Sequence, residues 1–367
     1  MRVALALALA LALSACGSDR PKPTPLETVA AQRSVTPAWQ ARVGKVGAAL
    51  RPSVRGGRVV VADEAGEVAA FEMASGRVLW RLSAGAPLAA GVGDDGQTTA
   101  VVSQDNDLIV MNEARVLWRH RLGARVVTPP LVAGGRVFVM MINRVVQAFD
   151  AADGLLLWTY DRPGDALTLQ QPGVLTAFGN TLLAGQGPRL AGIEPGGGTL
   201  AWEAIIATPR GTNEVERLGD LVGPSTRVGN QVCLRAFQSS VGCVDATRGT
   251  VQWTRNVGGW QSVAADGAVV VGADATDRVT AWRALTGEAL WTSEKLAHRA
   301  LGGAAVAANA AVFGDGEGYL HFLDLVTGSP VLRLATDGSP LAGAPLVVSG
   351  LLIVTTRQGG VFAFRLP

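Results

Sequence analysis

Cysteine, histidine and tyrosine are scarce in this sequence, at three, three and two among 367 residues. Three cysteines exclude a small domain framed by disulfides. His120, His298 and His321 lie too far apart in the chain to form the short-spaced ligand pair that marks a zinc site. Long apolar runs are missing as well: none approaches the roughly 18 residues of a membrane-crossing helix, which excludes a polytopic helical membrane protein. Charged residues are only 17% of the chain, and 32 Lys and Arg face 30 Asp and Glu, for a net charge of +2. That near balance argues against a basic surface for nucleic acid. Glycine and tryptophan are what the sequence has in excess, with 46 Gly and 9 Trp beside 9 Phe.

The first fifteen residues read as an address. Arg2 supplies the positive start, and Val3 to Leu13 form an eleven-residue Ala/Leu stretch, too short to span a bilayer but right for the apolar core of a signal peptide. The stretch ends in Leu13-Ser14-Ala15-Cys16-Gly17, which resembles a bacterial lipobox, with Cys16 as the residue that receives lipid. In that pattern an Asp after the Cys retains the protein at the inner membrane; here the position is Gly17, so the outer membrane is the expected destination. Residues 16–35 follow as a flexible tether, because Pro21, Pro23 and Pro25 alternate with polar residues and leave no periodic apolar face.

Residues 36–367 are filled by a repeat. Ala148-Phe149-Asp150-Ala151-Ala152-Asp153-Gly154-Leu155-Leu156-Leu157-Trp158 and Ala281-Trp282-Arg283-Ala284-Leu285-Thr286-Gly287-Glu288-Ala289-Leu290-Trp291 are its clearest copies. The same frame recurs at Phe71…Gly76…Trp80, Ile193…Gly198…Trp202 and Val244…Gly249…Trp253. The copy ending at Trp118 is two residues shorter and has Ala114 in place of Gly, and another ends in Leu332 instead of Trp. Trp39, 80, 118, 158, 202, 253 and 291, with Leu332, are spaced 38 to 51 residues apart. Short β-branched runs such as Arg58-Val59-Val60-Val61-Ala62 lie between them, bounded by turn pairs such as Gly56-Gly57. About four short antiparallel strands per period make one propeller blade. The chain stops at Val361-Phe362-Ala363-Phe364-Arg365 without a Trp strand and opens on the unpaired Trp strand Pro37-Ala38-Trp39-Gln40-Ala41. Together these make one blade, so the expected fold is an all-β, eight-bladed propeller closed by pairing N- and C-terminal strands.

Few groups in the sequence point to catalysis. Gly91-Val92-Gly93-Asp94-Asp95-Gly96 matches a dinucleotide fingerprint formally, but the following Gln97-Thr98-Thr99-Ala100-Val101-Val102 reads as a strand where that site needs a helix. No nucleophile elbow is present. Asp150, Asp245 and Asp324 recur at one repeat phase, as turn-capping residues do. No catalytic, metal or cofactor site is expected. Cys233 and Cys243 lie symmetrically about Gln238 in an expected hairpin. An oxidising compartment permits a disulfide there, with two buried thiols as the alternative.

The Ala-apolar…Gly-x-x-Leu-Trp frame resembles the repeats of quinoprotein dehydrogenases. With the lipobox, with Asn213-Glu214-Val215-Glu216-Arg217-Leu218-Gly219-Asp220 and with Gly316-Glu317-Gly318-Tyr319-Leu320-His321, the resemblance narrows to the BamB family of outer-membrane assembly lipoproteins. It implies a non-enzymatic periplasmic scaffold of the barrel assembly complex that binds the POTRA domains of BamA, with unfolded outer-membrane proteins as a further partner through strand addition. The docking surface it implies comprises Leu167, Leu169 and Gln170 on one loop and Arg217 and Asp220 on another. Gln170 stands where the family pattern has Arg, and Val222 where a second acid is common. The competing readings are a pyrroloquinoline-quinone-dependent dehydrogenase and a propeller scaffold of another envelope complex. For Leu167 and Leu169 the competing role is cover for a blade edge.

Overall fold

The computed structural model describes residues 21–162, 167–208 and 212–367; the leader and Cys16 lie outside them. Among the described residues there is no helix, and 32 strands form eight four-stranded antiparallel sheets. The sheets are blades, numbered here 1 to 8 over residues 53–83, 88–121, 131–160, 175–205, 221–255, 264–293, 305–335, and 346–365 with 36–42. Within a blade the strands follow chain order, as in Leu131–Ala133, Arg136–Met140, Val146–Asp150 and Leu156–Tyr160 of blade 3. First strands of neighbouring blades meet around the axis, and fourth strands form the rim. Second strands such as Arg58–Ala62 are buried throughout, which is why they read as unbroken apolar runs, whereas a rim strand such as Val78–Ser83 is partly exposed along its length. Thr36–Arg42 pairs with Gly360–Arg365, Thr36 opposite Arg365 and Arg42 opposite Gly360, so the ring closes through the two ends of the propeller.

Every Trp of the repeat lies on a fourth strand, and its ring reaches into the next blade. A Cβ built on Gly76, Gly154, Gly198, Gly249, Gly287 or Gly328 would come within 2.5–2.7 Å of the indole of Trp39, Trp118, Trp158, Trp202, Trp253 or Trp291 respectively. Each of these glycines turns the chain between third and fourth strands at φ of +67° to +77°, a region that costs other L-residues roughly 1–2 kcal/mol. Trp39, Trp118, Trp158, Trp253 and Trp291 also donate their indole N–H to a carbonyl of that following turn, at 2.7–3.0 Å. The two irregular copies follow from this geometry. Trp80 faces the shortened turn of blade 2, which has no Gly, and its buried Nε1 finds no partner. Leu332 faces blade 8, whose third and fourth strands come from opposite ends of the propeller and have no connecting turn, so there is nothing for an indole to stack on.

Local turns behave as the repeat implies. Asp150, Asp245 and Asp324 accept backbone N–H groups two residues on, at 2.8–3.0 Å. The formal dinucleotide fingerprint is a strand and hairpin turn in which Asp95 Oδ1 accepts the amides of Gln97 and Thr98. Cys233 and Cys243 are direct cross-strand partners with Cα atoms 4.1 Å apart, and their sulfurs are bonded.

The proline-spaced segment needs a correction to the tether expectation. It is extended, as its prolines dictate, but residues 24–33 lie on the ring. Thr24 N–H donates to Ala297 O at 3.0 Å and Gln32 N–H to Val331 O at 2.9 Å. Glu27 pairs with Lys295, and Arg33 pairs with Asp324 at 2.8 Å. Arg299 Nη1 donates to Thr24 O at 3.1 Å. That guanidinium is buried and fixed by Asp315, 2.9 Å from its Nε, and by an ion pair to Glu317. Burial pushes the Asp315 carboxyl up, but hydrogen bonds from His321, the Tyr319 amide and Arg299 outweigh it and hold the group at about 2. The physical reason for the correction is that backbone groups of an extended strand find partners along an exposed rim strand.

Two comparisons test the inter-blade packing by equilibrium urea unfolding. Trp80→Phe removes an unpaired buried donor and is expected to leave stability unchanged or raised, while Trp118→Phe orphans the Ala151 carbonyl and should cost about 1–3 kcal/mol. Gly154→Ala should cost about 2–4 kcal/mol through left-handed strain plus overpacking. Gly134→Ala, also at positive φ but with no atom within 4 Å of its Cβ, should cost only the first part.

Candidate functional site

The loops that join each fourth strand to the next blade, and the turns between second and third strands, emerge on one face of the ring. Leu167–Gln170 belongs to the loop between blades 3 and 4, and Arg217–Asp220 to the loop between blades 4 and 5. They meet at the Asp220 carboxylate. Its Oδ2 accepts the Leu169 amide at 3.2 Å, and its Oδ1 accepts Nε and Nη2 of Arg144 at 3.2 and 3.1 Å. Arg144 Nη2 also donates to the Leu167 carbonyl at 3.3 Å, and the Arg144 carbonyl takes an amide proton from Gln186 at 3.0 Å. Both side chains of the Arg144–Asp220 pair are about 15% exposed, so the pair is screened less than a surface salt bridge. Three blades are thereby tied at one point.

The strut leaves apolar groups outward. Leu167 is 36% exposed, and Leu169 is half-buried beside it. Gln170 is exposed, and its Oε1 accepts Nη1 of Arg125 at 3.1 Å; Arg125 is itself exposed, so a cation stands at this corner beside Gln170. Arg217 is exposed and makes no ion pair among the described residues. The turn before it is held by Asn213, which accepts the Glu216 amide at 2.9 Å, and by Glu216, which takes back the Thr212 amide at 2.8 Å. Those hydrogen bonds from the Thr212 amide and hydroxyl hold the Glu216 carboxyl below its ordinary value. Val222 is buried and belongs to the ring interior. Beside the loops a cleft of about 790 Å³ opens between blades 4 and 5, with Ile205, Val215, Leu218 and Phe237 in its wall.

Of the residues expected from sequence, the structure brings Leu167, Leu169 and Asp220 together, sets Gln170 at their edge and leaves Arg217 apart. Arg144 and Arg125 were not in that set. Arg144 adopts φ +70° at a second-to-third turn position where blades 1 and 7 have Gly66 and Gly318. The turn itself requires the left-handed region, which Asn106 and Asp277 also adopt in blades 2 and 6.

Ring, repeat and loop platform define a β-propeller of the quinoprotein-repeat class. The crystal structure of quinohemoprotein alcohol dehydrogenase from Comamonas testosteroni shares the fold, with a TM-score of 0.67 at 15% identity over 93% of this chain and 79% of that one. BamB from Moraxella catarrhalis superposes at a TM-score of 0.82, with 20% identity, covering 91% of this chain and all of that chain. A family model described as outer membrane protein assembly factor BamB matches residues 28–89, 64–293 and 276–365, and the chain belongs to that family. The outer membrane protein assembly factor BamB of Burkholderia pseudomallei is 37% identical over 354 residues, spanning 94% of this chain and 91% of that protein.

Arg144→Gly separates the strut from the fold. Glycine relieves the positive-φ strain and offsets part of the cost of leaving Asp220 without its partner, so global stability is expected to fall by about 1–2 kcal/mol. Hydrogen exchange at the Leu169 amide should accelerate at least about tenfold as its acceptor loses its anchor.

Proposed function

We propose that this chain is a non-catalytic, lipid-anchored scaffold on the periplasmic side of the outer membrane, joined through Cys16, that assists insertion of β-barrel proteins. Its partner is BamA, whose POTRA domains it binds through the platform of Leu167, Leu169 and Gln170 with Arg217 and Asp220. The observation that carries this reading is the Arg144–Asp220 strut, which holds the loop that exposes Leu167, with Leu169 half-buried beside it. A rigid apolar anchor with a polar rim is what a protein–protein contact requires. Asp220 in this reading is internal to the platform rather than a charge offered to the partner. Arg125 supplies the cation that Gln170 lacks, reaching the same corner from the loop between blades 2 and 3. Membership of a family described as outer-membrane assembly factors supports the assignment of process.

Affinity capture from detergent-solubilised envelopes tests it. The wild-type chain should recover BamA, identified by mass. Leu167→Ala/Leu169→Ala should weaken the interaction by at least about 2 kcal/mol, near thirtyfold in Kd, and Arg125→Ala should weaken it less. Failure of the wild type to recover BamA overturns the function; equal recovery by the double variant overturns the site alone.

A further inference from the structure

The segment before the propeller fixes where its start leaves the ring. Thr24 is bonded to Ala297 and Arg299, on the loop between blades 6 and 7. By Arg33 the segment has crossed the rim of blade 7 to the opposite face, where Arg33 Nε donates to Ala308 O at 3.1 Å. Thr36–Arg42 then returns as the closing strand. Chain N-terminal to Thr24 therefore emerges on the face that carries Leu167 and Asp220. Only seven residues lie between Cys16 and Thr24, and the eight Cα–Cα steps span at most about 29 Å.

We propose that residues 24–33 are an orienting strap that turns the loop-bearing face of the ring toward the lipid surface, with the junction of blades 6 and 7 nearest to it. The proposal rests on lipidation of Cys16. The anchor then does more than confine the protein to the membrane. A strand of five or six residues is about 20 Å long, so the two faces of one blade differ in height by about two thirds of the greatest distance that Cys16 and Thr24 can span. A ring hung from the other face would place the Leu167 platform beyond the disc. Hung from this face, the platform opens into the layer next to the bilayer. The buried Arg299 cluster gives the exit point its fixity, because displacing Thr24 leaves a guanidinium proton without its acceptor.

Energy transfer between the protein and headgroup-labelled phospholipid tests the orientation. The full chain is purified from envelopes, its intact mass is read, and it is reconstituted into phosphatidylethanolamine–phosphatidylglycerol vesicles carrying an acceptor dye of short Förster distance. A donor dye is carried on p-azidophenylalanine in place of Ala275 or of Leu285, exposed turn residues of blade 6 on the loop-bearing and opposite faces. Transfer at least twofold greater from position 275 than from 285 is expected. A twenty-residue Gly/Ser insertion between residues 20 and 21, which adds about 25 Å of flexible reach, should bring that ratio toward one without altering the fold. Equal transfer from both positions, or a ratio the insertion leaves unchanged, overturns the strap. An intact mass without acyl chains overturns the lipidation reading instead. The strap geometry is then read by the same ratio after coupling the Cys16 thiol to maleimide lipid.

Discussion

Six of the eight blade junctions are locked by an indole lying against a glycine of the next blade. The contact is possible because the glycine has no side chain and because its φ of about +70° turns the chain tightly enough to bring a carbonyl over the indole N–H. One residue thus contributes two interactions of different kinds, the burial of a large aromatic surface and a directed hydrogen bond that sets the angle between sheets. A four-stranded sheet alone has no means of specifying that angle. Repeated around the ring, the lock determines where each inter-blade loop begins, and hence where the loops of the candidate site meet.

The exceptions to the lock show that it acts between blades and not within them. Trp80 and Leu332 sit in ordinary rim strands, and their own blades are regular. What differs is the turn ahead. Blade 2 offers a short turn without glycine, so the Trp80 donor is left unpaired; blade 8 has no turn to offer, and leucine fills the rim instead. A requirement internal to each blade would have kept tryptophan at 332 and given Trp80 a partner.

The blades could be counted in the sequence because a repeat writes its contacts at a fixed spacing. The Gly-x-x-x-Trp frame, the capping aspartates, the ring closure and the Cys233–Cys243 register are all set by residues within one period or by its symmetry. The strut was not legible, because Arg144 and Asp220 are 76 residues apart and meet only through the curvature of three blades. Arg125 and Gln170, 45 apart, were hidden for the same reason. The strap shows a third case. Its prolines predict an extended chain correctly, but an extended chain has unpaired backbone groups throughout, and its own residues do not say which surface will satisfy them. Arg299 and Val331, more than 270 residues further on, decide that.

Closure by the terminal strands has a mechanical consequence for any load applied to the chain ahead of Thr24. Such a force passes along the chain to Thr36–Arg42, the strand that completes blade 8. Without other contacts it would peel that strand from Gly360–Arg365 one pair at a time, starting at Thr36, and each pair would bear the load alone. The strap intercepts the load earlier. Thr24, Glu27, Gln32 and Arg33 are fixed to blades 6 and 7, which are complete sheets with no chain end in them. A pull on the chain ahead of Thr24 therefore shears several bonds to intact blades together before it reaches the seam. A closed ring made from one open chain has a single weak joint, and residues 24–33 are bonded so that this joint is the last to feel a load from that side.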